Sequence, residues 1–299
     1  MGAPSSMSQW VYDAYKKKDE IASSIEGKKI LIVAGSNALF GVDSQLLSEA
    51  LGLPVVNYGV NAGIELPSTL FMAERVIHKH DIVIMPLEYP MYSYTGEAGV
   101  QMIDFVLSRE SGFLPRLTLK EQFYILWHVS VERVFEGYFK AQNKPVEAGL
   151  YGAHHIDRNG DQIETDRSFK TDQMYAEIEN HHKNPEMYGA AFDGDALGWQ
   201  YLDAFVSWCK ERSVKVIFMP STLMKEDSYY TVSEERWFYV HIAEEVRKRG
   251  WLYIGDPYDY MFEKSCYLNT NFHLLDSDRK KMTEQMIKDL KKSKLLFKP

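Results

Sequence analysis

Only two cysteines, Cys209 and Cys266, occur in the 299 residues. That excludes a disulfide-dense scaffold and a four-cysteine zinc site. Long apolar runs are missing too: the longest, residues 30–34 and 82–87, are far too short to span a bilayer as a helix. Basic charge is in deficit, with 34 Lys and Arg against 42 Asp and Glu and a formal charge of −8. This balance argues against a global attraction to nucleic acid or anionic lipid, and no nucleic-acid partner is expected. No internal repeat and no low-complexity linker breaks the chain. The stretch from Gly35 to Gly41 lacks the Gly-Lys-Ser/Thr of a phosphate loop, so nucleotide binding has no support and no cofactor is expected.

Metal-binding patterns are equally thin. His154-His155 and His181-His182 lie in polar stretches, and neighbours on a strand point to opposite faces, so solvated histidines account for them better than a zinc site. Asp157-Arg158-Asn159-Gly160-Asp161 carries its glycine two positions too early for a calcium loop. Asn159-Gly160 reads instead as the turn of a hairpin over residues 154–164.

Apolar residues are abundant, at 45% of the chain with 19 Tyr. Strands are expected at 28–34, 54–59, 81–87, 214–219 and 251–254. Between and after them, helical spacing marks 43–51, 67–80, 199–213, 233–250 and 278–292. The alternation implies an α/β fold with a central parallel sheet covered by helices. Residues 1–27 read as a leader followed by a helix over 10–25, and residues 28–299 as one domain. The leader is small and polar and reads as an addition before a shortened start near Met7. Any export signal or anchor is then expected to lie outside this chain. About a hundred residues separate the third and fourth strands, too many for a structureless loop. They read as a cap over 92–196, with a helix over 118–139, standing beside the carboxyl ends of the strands where open sheets place their sites.

Three segments carry candidate chemistry. Gly35-Ser36-Asn37 follows the first strand on a tight turn into a helix, a position that exposes a hydroxyl among backbone N–H groups. Asn57-Tyr58-Gly59-Val60-Asn61-Ala62-Gly63 ends the second strand with further donors. Asn269-Thr270-Asn271-Phe272-His273 precedes the last helix and brings a histidine within reach of the serine as general base and then general acid.

This order resembles the SGNH (GDSL-like) hydrolase superfamily over about residues 28–91 and 196–292. The segments Phe40-Gly41-Val42-Asp43 and Leu87-Glu88-Tyr89 resemble its branch of exopolysaccharide O-acetylation. The resemblance implies a three-layer, flavodoxin-like SGNH fold, with Ser36 as nucleophile and His273 as base. The oxyanion would be held by the Ser36 N–H, the Gly63 N–H and the Asn61 amide. It implies an acetyl-Ser36 intermediate resolved by a glycan hydroxyl, or by water in an acetylesterase. It further implies a polysaccharide substrate, an acyl donor or donor protein of a membrane exopolysaccharide system, and an extracytoplasmic location.

Two departures qualify that reading. The family aspartate before the histidine is replaced, with Asn269, Thr270 and Asn271 in its place. An asparagine accepts the imidazole N–H but stabilises imidazolium less than a carboxylate does. The site is therefore a Ser–His dyad, a weak triad through Asn269, a triad completed by Asp256, Asp259 or Asp276, or a non-catalytic glycan-binding module. The third family motif is also absent, and Pro86-Leu87-Glu88-Tyr89 stands there. Glu88 and Tyr89 are expected behind the site or against substrate, with a helix-capping carboxylate as the alternative for Glu88.

Overall fold

The computed structural model describes residues 6–139 and 150–294. Five strands form one parallel sheet: β1 (Ile30–Ile32), β2 (Val55–Asn57), β3 (Ile82–Met85), β4 (Lys215–Phe218) and β6 (Leu252–Tyr253). They lie in the order β2-β1-β3-β4-β6. Two further strands, β5 (Leu223–Met224) and β7 (Met261–Phe262), make a separate parallel pair. The strands are short, but the three central ones carry Ile, Leu, Val, Met and Phe, and β1 and β3 are buried throughout. Such runs are shielded from water on both faces at once, which is what a helix-flanked parallel sheet requires.

The flanking helices fall where apolar spacing marks them, except that the one expected over 67–80 is Glu65–Glu74 and gives way to turns before β3. Ser44–Leu51 starts on Asp43, whose carboxylate accepts the Leu46 N–H at 2.9 Å. It ends on Gly52 in the left-handed region, at φ 70°. The cap and the helix-breaking glycine are the two signals expected at its ends. The Asp276–Ser293 helix packs on it and on the Ser36–Gly41 helix. Leu197–Glu211 packs on Glu65–Glu74 and on β4, and Ser233–Lys248 on β6.

Several local expectations are corrected. The 118–139 stretch is two helices, Leu119–Trp127 and Val131–Phe139, parted at His128, Val129 and Ser130. The first is fixed by a capping box between Thr118 and Glu121. Both helices turn aromatic faces outward: Phe123, Trp127, Phe135, Tyr138 and Phe139 are exposed. The 154–164 hairpin holds a single antiparallel bridge, Ile156 to Gln162, rather than two strands. Its ladder cannot extend, because its tip turns onto β2 instead. There Asn159 O accepts the Asn57 N–H at 2.9 Å, and Gly160 lies against the Asn57 backbone. The hairpin thus covers the outer edge of β2. Helices at Val100–Ser108 and Asp172–Lys183 add to the segment after β3. Part of the 92–196 cap, residues 140–149, lies outside the described residues.

The Ser6–Ser23 helix belongs to the core, with Val11, Ala14, Tyr15 and Ala22 buried. Its Lys17 donates to Ala153 O and Ile156 O, and its wholly buried Lys18 to Asn57 O and Gly59 O. It therefore ties the 150–164 segment to the end of β2.

Candidate active site

Ser36, Asn61 and Glu88 all follow the carboxyl ends of parallel strands, which gathers them at one end of the sheet. Ser36 opens the Ser36–Gly41 helix four residues after β1. From Lys29 to Val42 every residue is buried except Ser36, which is part-exposed. The turn can be this tight because residue 35 is glycine. A Cβ there would lie 2.8 Å from the Ala62 Cβ and 2.8 Å from Glu88 Oε1. It would also lie 2.9 Å from the Ala62 backbone N, so no side chain fits there.

Glu88 is the nearest partner of the serine. Its Oε1 accepts the Asn37 N–H at 2.7 Å and the Ser36 hydroxyl at 3.3 Å. The carboxyl does cap a helix, but it is Ser36–Gly41 rather than the Tyr89–Tyr92 turn it directly precedes. Burial pushes the Glu88 carboxyl up to about 7. The Asn37 N–H, the Ser36 hydroxyl and the Ser36 N–H pull it down, while Glu186 raises it. Asn37 locks the turn from the other side, its amide donating to Pro86 O at 2.6 Å and Ser221 Oγ at 2.8 Å.

His273 sits on a tightly folded loop. The Leu268 N–H donates to His273 O at 2.8 Å, and Tyr267 bridges Leu274. The Met224 N–H donates to Asn271 O, which pins the loop to β5. The fold of this loop returns His273 beside Asn269, whose Oδ1 lies 2.8 Å from His273 Nδ1. The Asn269 amide also donates to Tyr151 OH at 2.9 Å, which leaves Oδ1 as acceptor for the Nδ1 proton. The imidazole stacks on Phe40 at 4.1 Å between centroids and 12° between planes. Tyr151 meets the same ring edge-on at 6.2 Å. Burial in this box, with His181 nearby, pushes His273 down to about 3, so the ring is neutral at neutral pH.

The expected constellation is therefore gathered with one link unmade. Phe40 lies one helical turn after Ser36, so the imidazole is stacked one turn along the serine's own helix. No hydrogen bond joins His273 to Ser36; the serine hydroxyl is given to Glu88. Of the carboxylates named as replacement acids, Asp256 accepts the Tyr258 N–H, Asp259 a Gln285 amide, and Asp276 the Arg279 guanidinium. The partner of His273 is Asn269. Two of the three expected oxyanion donors, the Gly63 and Ser36 N–H groups, are engaged as well. The Gly63 N–H is taken by Asn61 Oδ1 at 2.5 Å, and the Ser36 N–H faces Glu88. Gly63 is covered by Gln101, whose Oε1 would lie 1.8 Å from an added Cβ. Tyr89 lies behind the site, 1% exposed among Tyr188, Phe238 and Tyr239, and does not reach a substrate.

Sequence reasoning missed Phe40, Tyr151 and Glu186. Phe40 was legible from its four-residue spacing to Ser36. Tyr151 and Glu186 lie in the segment after β3, where no local pattern gives their position. Among the described residues no group of three or more His, Cys, Asp or Glu could hold a metal ion. No protein-family model, curated protein or solved structure matches the chain.

Proposed function

We propose that the chain is a serine-dependent acyl-ester enzyme that O-acetylates a bacterial exopolysaccharide through an acetyl-Ser36 intermediate. The single observation that carries the serine chemistry is the exposure of Ser36 alone in a buried strand–turn–helix, with its hydroxyl already donated to a carboxylate. A nucleophile needs that combination of access and a nearby proton acceptor. The strand order, renumbered along the sheet as 2-1-3-4-5, agrees with a flavodoxin-like arrangement and puts the site beside its switch point. The SGNH-like segments around Ser36, Asn61 and His273 support the same class. They also supply the glycan substrate, the donor from a membrane system and the extracytoplasmic location. The neutral imidazole of His273, oriented by Asn269, then contributes a polar wall to the acyl site. Transfer to a sugar hydroxyl requires that the acceptor exclude water; with water as acceptor the same site is an acetylesterase.

A second reading, a glycan-binding module without turnover, is favoured by the missing His273–Ser36 hydrogen bond and by donors already engaged with Asn61 and Glu88. Incubation with p-nitrophenyl acetate separates the two readings. The enzyme should release nitrophenol and gain an adduct of about 42 Da on Ser36, as an acetyl-enzyme requires. Ser36→Ala should show neither. Adding an oligosaccharide acceptor should then yield acetylated sugar at the expense of acetate. Equal rates for both proteins and no adduct would leave the binding module.

A further inference from the structure

We propose that Glu88 is the catalytic base of this site: its carboxylate takes the Ser36 hydroxyl proton as Oγ attacks the acyl carbon. The inference rests on the serine reading above and replaces the histidine expected as base. Glu88 Oε1 is the hydrogen-bond acceptor in contact with Ser36 Oγ, at 3.3 Å, a distance compatible with tightening once substrate is bound. His273 makes no hydrogen bond to the Ser36 hydroxyl, which is given to Glu88 instead. The His273 Nδ1 is given to Asn269, which leaves Nε2 as the ring nitrogen able to take a proton, and its ring lies flat on Phe40, one helical turn along from Ser36. A ring that burial keeps neutral down to about pH 3 is also a poor proton acceptor.

The steps balance. The Ser36 Oγ–H bond breaks, its proton goes to Glu88, and the Oγ–carbon bond forms. The carbonyl electron pair moves onto oxygen, giving a tetrahedral oxyanion. Collapse restores the carbonyl and breaks the bond to the leaving oxygen, which takes the proton from Glu88. The acceptor hydroxyl then gives its proton to the same carboxylate as it attacks acyl-Ser36, and Ser36 leaves carrying that proton. No other reactant is needed.

An ordinary carboxylate is too acidic for this work. Glu88 is moved toward the operating pH by its burial and by Glu186, the charged group facing it. Glu186 is itself anchored by Tyr188 OH at 2.8 Å. The groups hydrogen-bonded to the Glu88 carboxyl are the Ser36 hydroxyl and N–H and the Asn37 N–H, none of them charged. Among the described residues no cation pairs with it.

The test is the rate of Ser36 phosphonylation by a fluorophosphonate, read by peptide mass spectrometry from about pH 5 to pH 9, with p-nitrophenyl acetate turnover alongside. The wild-type rate should rise through one ionisation near 7, where Glu88 loses its proton. Glu88→Gln keeps a carbonyl for the Asn37 N–H and should fold, yet lose roughly 100-fold or more in rate and lose the inflection. His273→Gln should keep the inflection. Should Glu88→Gln fail to fold, Glu88→Asp reads the same point: the carboxylate remains, so a slower rate with a retained inflection is expected. Two results overturn the inference while sparing the serine: a Gln variant within about threefold of wild type, or an inflection lost in His273→Gln and kept in the Glu88 variants. A wild-type Ser36 that is never labelled overturns the serine reading, and this inference with it.

Discussion

A carboxyl that stays protonated to about pH 7 in the folded chain, but not in the unfolded one, makes stability depend on pH. Glu88 is such a group. Between the ordinary carboxyl value of 4.5 and about 7 the folded state binds more protons, so stability falls as pH rises through that window. The loss totals about 3 kcal/mol. Chemical denaturation should therefore show Glu88→Gln gaining on the wild type between pH 5 and pH 8. An unchanged difference would mean that water reaches the carboxyl. His273 acts with the opposite sign. It is neutral when folded down to about 3 and protonates near 6.5 when unfolded. Its contribution is present above 6.5 and is lost as pH falls toward 3. His273→Gln should flatten the acid limb of the stability curve.

At the scale of elements, the Ser36 turn depends on one glycine, whereas two helices after β3 carry exposed rings. Gly35→Ala places a methyl group 2.8 Å from the Ala62 Cβ and from Glu88 Oε1. The expected cost is about 1–3 kcal/mol, as for other overpacked sites, with loss of Ser36 labelling. A melting temperature equal to wild type would show that the turn yields. The helices Leu119–Trp127 and Val131–Phe139 respond differently. Trp127 is 75% exposed and Phe135 58%. Trp127→Ser with Phe135→Ser should leave stability within about 0.5 kcal/mol per site and lower the binding of an apolar dye. A large destabilisation would mean that these faces are covered in solution.

The whole molecule is held by a few buried polar hubs that join distant parts of the chain. Asp161 accepts the Ser44 N–H and hydroxyl, each at 2.7 Å, and the Asn57 amide at 2.9 Å. It thereby connects the segment after β3, the Ser44–Leu51 helix and β2. Asp161→Ala leaves those donors buried without an acceptor and should cost about 3–5 kcal/mol in denaturant unfolding. Asp81 accepts the Lys29 ammonium at 2.8 Å and the Lys29 and His78 N–H groups, joining the starts of β1 and β3. A hub of this kind is worth most when a partner is removed alone, because the remaining charge cannot reach water.

The five sheet strands, their parallel pairing and the Asp43 and Gly52 helix ends were legible because apolar runs, caps and left-handed glycines are local signals. So were Ser36 on its turn and Asn269 four residues before His273. The break at residues 128–130, the docking of the 154–164 turn onto β2 and the pairing of β5 with β7 were not, since each is set by contacts between distant segments. The roles of Glu88 and His273 belong to the same class. Sequence alone determined the residue types available to the site. Only the tertiary structure decided that the serine hydroxyl meets a buried carboxylate and the imidazole a phenyl ring. Which groups lose water, and which find a partner, depends on what the rest of the chain folds against them.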